Sequence, residues 1–240
     1  MKITNAKGLK LDALLVTPQP MHAGVVLCHG FLSEKDNETH AAIMKKLASY
    51  GIGSLAFDFT GHGKSEGRVL DANLADFYAD VACVVTYGRP LFPGRLGLYG
   101  ASLGGAMSIL YATYNRVDAL ALKCPVIDPV KSWDNYLRNK ITIVPEQQRA
   151  GLSVRVKEQV AGTPPLYKMV ASLSCPAMII GAAYDDLVDI DDLTHFASVL
   201  SISDYTILNA DHDFSQREEH DKLTDLVSSW FAKRLKVLTL

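Results

Sequence analysis

The sequence predicts an α/β fold with a mostly parallel central sheet flanked by helices. Three observations carry that expectation. Short, nearly continuous apolar runs recur along the chain, and amphipathic stretches of helical period separate them. The chain is also long and apolar enough to cover such a sheet on both faces, with 240 residues of which 48% are hydrophobic. A core of that size needs neither disulfide nor metal. The 24 Lys and Arg residues nearly balance 26 Asp and Glu, for a net charge of −2. That balance excludes the electrostatic footprint of DNA, RNA or anionic-membrane binding.

The elements follow in order. Leu11–Val16 reads as a strand in an antiparallel N-terminal piece, and Ala23–Cys28 as the first parallel strand. Ile43, Met44, Leu47 and Ala48 form a helical stripe that Gly51 would cap. Gly53–Asp58 is the next strand; Leu74, Phe77, Val81, Val84 and Val85 form a second stripe, followed by Gly88. Strands Leu96–Tyr99 and Ala119–Leu122 bracket a helix beginning about Leu103. Ala177–Ile180 and Tyr205–Leu208 complete the strands, and Leu223, Leu226, Val227, Trp230 and Phe231 mark a final helix.

Between Val126 and Val170 this rhythm stops. The stretch holds Trp133, Tyr136, Tyr167, four prolines and two helical-looking segments. Forty-odd residues are too many for structureless chain. The expectation is one domain over residues 1–240 with a small helical cap at about 126–170, lying over the carboxyl edge of the sheet. No apolar run approaches the length of a membrane span, and Asp12 interrupts the N-terminal Leu/Val stretch, so a cytoplasmic protein is expected. Cys28, Cys83, Cys124 and Cys175 lack any CxxC spacing and read as reduced, buried, structural thiols.

In open parallel sheets, ligands bind beyond the carboxyl ends of the strands. Gly100-Ala101-Ser102-Leu103-Gly104 stands there, between a strand and a helix. Such a turn exposes Ser102 Oγ beside the N–H of the next residue and a helix N-terminus. Serine needs a base. In the nucleophile-elbow arrangement the chain order is serine, acid, histidine, leaving His195, His212 and His220. His212 follows a strand in a loop; His195 and His220 fall on amphipathic helical stretches, where solvated surface is expected. Asp185 or Asp186, after the Ala177–Ile180 strand, could orient the imidazole, and Asp128 is a third possibility. Asp189, Asp191 and Asp192 suit a helix N-terminal turn.

An oxyanion needs a second backbone donor besides the Leu103 N–H. His29-Gly30-Phe31 ends the first parallel strand, and Gly30 lets the Phe31 N–H turn toward the same cleft. His29 is expected to be structural. So is the turn Phe57–Ser65, which lacks the spacing of a phosphate loop.

With these residues assembled, the chain resembles an α/β-hydrolase along essentially its whole length. Within that superfamily it is similar to bacterial cinnamoyl and feruloyl esterases. The matching pieces are Cys-His-Gly-Phe (28–31), Phe-Asp-Phe-Thr-Gly-His-Gly-Lys-Ser-Glu-Gly (57–67), Gly-Ala-Ser-Leu-Gly-Gly (100–105) and Ala-Asp-His-Asp-Phe-Ser (210–215). The resemblance implies an α/β-hydrolase fold and a triad of Ser102, Asp185 and His212. Asp185 is preferred because the family's acid commonly stands three residues before a valine, here Val188. It further implies an oxyanion hole of the Phe31 and Leu103 amides, a small-molecule ester as substrate, and neither metal nor organic cofactor. Trp133 and Tyr136 are the expected substrate-binding walls. Thioesterase, acyltransferase and peptidase chemistry would use the same triad, and a catalytically silent receptor is the alternative of a different class.

Overall fold

A computed structural model of the protein describes residues 1–140, 146–202 and 204–235. Its strands are β1 (Lys2–Thr4), β2 (Lys10–Val16), β3 (Ala23–Cys28), β4 (Ile52–Phe57), β5 (Arg95–Ala101), β6 (Ala119–Lys123), β7 (Ala177–Tyr184) and β8 (Asp204–Asp211). They form one sheet in the order β1-β2-β4-β3-β5-β6-β7-β8, antiparallel at β1–β2 and β2–β4 and parallel beyond. Every residue of β3, β4 and β6 is buried, as expected of strands covered on both faces.

The helices explain that burial. One face carries α1 (Glu38–Ser49) and α8 (Arg217–Arg234), which pack Ile43, Leu47, Leu223, Val227 and Phe231 against Val25, Ala56 and Ala121. The other carries α2 (Leu74–Gly88), α3 (Leu103–Tyr114) and α7 (Ile190–Val199), contributing Phe77, Val81, Ile109, Leu193 and Phe196. Each fully buried Leu or Phe in these layers stabilises the fold by about 1.5–3 kcal/mol. The helix starts are written locally. Asn37 Oδ1 accepts the His40 amide at 3.0 Å, and Asn73 with Asp76 closes a reciprocal capping box.

Between β6 and β7 lie α4 (Pro129–Asn139), α5 (Glu146–Val160) and α6 (Leu166–Met169), within the stretch expected to form a cap. Residues 141–145 of that stretch are outside the described residues. Trp133, Tyr136, Leu152 and Val160 make a small core of their own, joined to the body through Phe31, Leu74 and Leu187.

Four expectations need correction. The strands at β5, β7 and β8 run longer than their apolar cores, since polar or small ends still pair in the ladder. Gly51 takes the left-handed conformation expected of a cap, but Gly88 has φ −74° and is the last residue of α2, after which the chain continues into a 3₁₀ turn. Cys28 and Cys124 are buried, whereas Cys83 and Cys175 are partly exposed; all four are free thiols. His220 is 7% exposed rather than solvated, because α8 turns it toward the cleft rather than outward.

Candidate active site

The carboxyl ends of β3, β5, β6, β7 and β8 converge on one cleft. Ser102 sits between β5 and α3 with φ +52° and ψ −116°, a conformation L-residues rarely hold. Hydrogen bonds over-determine it. Ser102 N donates to Lys123 O at 2.9 Å, and Ser102 O accepts from Val126 N and Ala106 N, each at 3.1 Å. The turn also demands small neighbours. A Cβ on Gly104 would stand 2.3 Å from Cys28 O, and one on Gly100 would stand 2.6 Å from Gly104 O.

His212 and Asp185 meet across the turns after β8 and β7. His212 Nδ1 lies 2.8 Å from both Asp185 carboxylate oxygens, and the Asp185 side chain is fully buried. Facing a carboxylate, Nδ1 carries the proton, so Nε2 is the basic nitrogen. The amides of Leu187 and Val188 donate to Asp185 Oδ1 at 2.9 and 2.8 Å. Burial works to raise the Asp185 carboxyl, but the His212 contact and those two amides outweigh it and hold the group below its ordinary range. Asp185 is therefore an ionised, aimed carboxylate. Asp186, its exposed neighbour, makes no such contact, and Asp128 is spent on capping α4, accepting from Val130 and Lys131 N at 3.0 Å.

Ser102 and His212 line one cavity. No direct hydrogen bond joins their side chains in this structure. Gly30 passes so close that a Cβ there would lie 3.3 Å from Ser102 Cβ, which sets the Phe31 end of β3 beside the Ser102 turn. Leu103 opens α3, so its N–H lacks an intrahelical acceptor. His29 is structural as expected. It is fully buried, accepts the Phe59 amide on Nε2 at 3.1 Å, and is held neutral by burial. In the turn after β4, buried Asp58 accepts Lys64 N at 2.8 Å and pairs with the Lys35 ammonium at 3.2 Å, which fits the structural reading.

Trp133 and Tyr136 stack at 5.1 Å on α4, and Phe31 meets both edge-on at 5.9 and 5.8 Å. With Leu103, Val126, Val160 and Leu187 they wall a narrow apolar chamber of about 90 Å³ opening on Ser102. On the other side of Ser102 a larger cavity of about 590 Å³ is lined by His212, Lys123, His40, Tyr99 and His220. Of the last four, only His220 was weighed for this site from the sequence, and it was set aside as solvated surface. Lys123 did leave a signal, as a lysine closing the apolar run Ala119–Lys123.

Cys124, in a left-handed conformation at φ +41°, presses its thiol toward Asp185, and burial with that carboxylate pushes the thiol well up. Donor atoms of Cys124, Asp185 and His212 lie within 4.8 Å of one another. The carboxylate oxygens are already engaged by two amides and the imidazole, so the trio is satisfied as a hydrogen-bonded cluster.

The profile of the family described as serine aminopeptidase, S33, an α/β-hydrolase family, matches residues 19–161. The chain belongs to that family. An esterase of Pyrococcus furiosus superposes with TM-score 0.81 at 20% identity, covering 98% of this chain and 90% of that one. Est1E of Butyrivibrio proteoclasticus, solved with ferulic acid bound, gives TM-score 0.81 at 21% identity over 98% and 99% of the two chains. These likenesses establish the α/β-hydrolase fold. An uncharacterised protein of Mycobacterium tuberculosis is 24% identical over 164 residues, 68% of this chain and 53% of its own. The chain thus spans about half the length of that curated relative. Among the described residues no helix is long and apolar enough to cross a membrane.

Proposed function

We propose that this α/β-hydrolase is a serine carboxylic-ester hydrolase working through an acyl-enzyme. The observation that carries the reading is the Asp185–His212 contact at 2.8 Å, in the same cavity as a serine held at φ +52° on a strand-to-helix turn. Ser102 Oγ attacks the ester carbonyl while His212 Nε2 takes its proton. The amides of Phe31 and Leu103 receive the developing oxyanion, where one such donor is worth about 3 kcal/mol of barrier. His212 then protonates the leaving alcohol, and water repeats the sequence on the acyl-enzyme. Trp133 and Tyr136 line the acyl chamber, whose apolar and aromatic walls suit a small or aromatic acyl group. The chemistry calls for no cofactor. Four free thiols fit a reducing, cytoplasmic setting.

The family's description favours a second reading, an aminopeptidase. Against it stands the acyl chamber, whose described lining offers no carboxylate to the ammonium that an N-terminal residue would bring there. Hydrolysis of p-nitrophenyl butyrate set against aminoacyl p-nitroanilides tests the choice. Ester turnover that Ser102→Ala abolishes is expected; turnover confined to the anilides overturns the ester reading.

A further inference from the structure

Resting on that reading, the larger cavity has a property the triad does not use. Lys123 is 7% exposed; among the described residues no carboxylate lies within ion-pairing distance of its ammonium, which sits over the face of Phe214, 5.4 Å from the ring centre. A buried cation without a counter-charge is costly, and proteins normally pair it. The polar atoms around it are unpartnered too. Among the described residues His40 Nε2, the Tyr99 and Tyr136 hydroxyls and both His220 ring nitrogens are buried without a hydrogen bond, and all four residues line this cavity. Because His40 Nδ1 donates to Lys35 O at 3.1 Å, Nε2 offers a lone pair. The cavity therefore presents a buried cation without a counter-charge, hydroxyls able to donate, and an acceptor at His40 Nε2. The acidic lining residues do not fill the gap. Asp213 is exposed and paired with Lys140 at 3.2 Å, and Glu38 is exposed at the rim.

Position says which half of a substrate enters. Lys123 pairs with Ala101 in the β5–β6 register, and its carbonyl holds the Ser102 amide, so it stands one residue from the nucleophile. His212, Asp213, Phe214 and Ser215 line this cavity and are missing from the apolar chamber. The leaving oxygen must be within reach of His212 Nε2 to be protonated. The alcohol half therefore lies on the His212 side, and the acyl half under the cap.

We propose that Lys123, with Tyr99 and His40, forms a subsite for an anionic group, carboxylate or phosphate, carried by the leaving alcohol of the substrate. A hydroxyl on that alcohol would satisfy His40 Nε2, while the anion takes the Lys123 ammonium and the Tyr99 hydroxyl.

The test compares esters that share an acyl group and differ in charge. 4-(Butanoyloxy)benzoate, its methyl ester and 4-(butanoyloxy)phenyl phosphate are assayed, each kcat/KM being divided by the rate of that ester with hydroxide. One or both anionic esters are expected to be preferred by about tenfold or more, the scale of a charge-assisted contact, and the pair of them separates carboxylate from phosphate. Lys123→Met is expected to bring that ratio to near one. Equal use of all three esters, or a preference that survives Lys123→Met, overturns the subsite and leaves the Ser102 reading standing. If no ester is cleaved, that reading fails on its own. Calorimetry on the unaltered protein then decides the subsite, and covers the case in which Lys123→Met does not fold. 4-Hydroxybenzoate or 4-hydroxyphenyl phosphate is expected to bind about tenfold more tightly than methyl 4-hydroxybenzoate; equal or no binding of all three overturns it.

Discussion

Two chambers meet at Ser102, and they differ in how polar their walls are. The one under the cap is narrow and lined by Phe31, Trp133, Tyr136 and aliphatic side chains. The one on the His212 side is several times larger and holds a buried ammonium, three buried histidines and the Tyr99 hydroxyl. An apolar wall selects by shape and volume, and each methylene gained or lost is worth only a kcal/mol or so. A wall of unpartnered polar groups selects by what it rejects, since a ligand that cannot pair them leaves them buried and unsatisfied. The difference teaches that graded preference is to be sought on the acyl side and sharp discrimination on the alcohol side.

The most damaging way to break this arrangement is at the Asp185–His212 pair, whose histidine lines the larger chamber beside Ser102. Asp185→Asn is expected to lower kcat by about 10⁴, because the amide favours the wrong imidazole tautomer and loses the countercharge. Asp186→Asn, one residue away and exposed, is expected to stay within about threefold of wild type, the scale of a surface change. Steady-state kinetics on p-nitrophenyl butyrate separates them. A greater loss at Asp186 would reverse the assignment of the acid.

The apolar side is sharpened by Trp133→Ala. Removing the indole opens the chamber, and preference is expected to move toward bulkier acyl groups by about tenfold, with a stability loss of about 3 kcal/mol or more. A panel of p-nitrophenyl esters with a thermal melt reads both. Stability loss with unchanged acyl ranking would make Trp133 a structural cover.

The polar side carries its own signature in acid. Burial lowers His40 to about 4, and the Lys123 charge adds to that, while the Lys35 carbonyl resists it. Burial also lowers His29 and His62 on the same carboxyl edge. Each is neutral in the folded chain and takes a proton near 6.5 when unfolded, so the unfolded state binds more protons between pH 6.5 and 4. Stability therefore falls as pH drops through that window, by up to roughly 3 kcal/mol for His40 alone. Urea unfolding across pH 4–7 measures the slope, and His40→Gln is expected to flatten it. An unchanged slope would mean that His40 does not titrate as its burial demands.

The smallest expected effect lies at the junction itself. Ser102→Gly should raise stability by about 1 kcal/mol, since glycine accepts the positive φ without strain. A lowered melting midpoint would show that the serine side chain contributes more than its backbone costs.

How far the sequence could be read follows the same divide. Ser102 and His212 were legible because a strand, a glycine-flanked turn and a helix announce the first, and a loop after a strand holds the second. Residue spacing left Asp185, Asp186 and Asp128 open. Choosing among them depends on a turn in which Asp185 Oδ1 accepts the Leu187 and Val188 amides, and no periodicity reports that. The apolar chamber was legible as an aromatic-rich break in the strand–helix rhythm. The polar chamber was not, because its members come from α1, β5, β6 and α8 and meet only when the sheet assembles. Lys123 was missed for a local reason, since the predicted strand stopped at Leu122. β1 was missed because three residues are too few to show alternation.

The central claim is that Ser102 is an activated nucleophile, and covalent trapping tests it most directly. A fluorophosphonate is incubated with the protein, and the modified peptide is sequenced by mass spectrometry. One phosphonyl group on Ser102 is expected, absent after Ser102→Ala and slowed by Asp185→Asn. An unlabelled protein, or a label on any other residue, would contradict the claim.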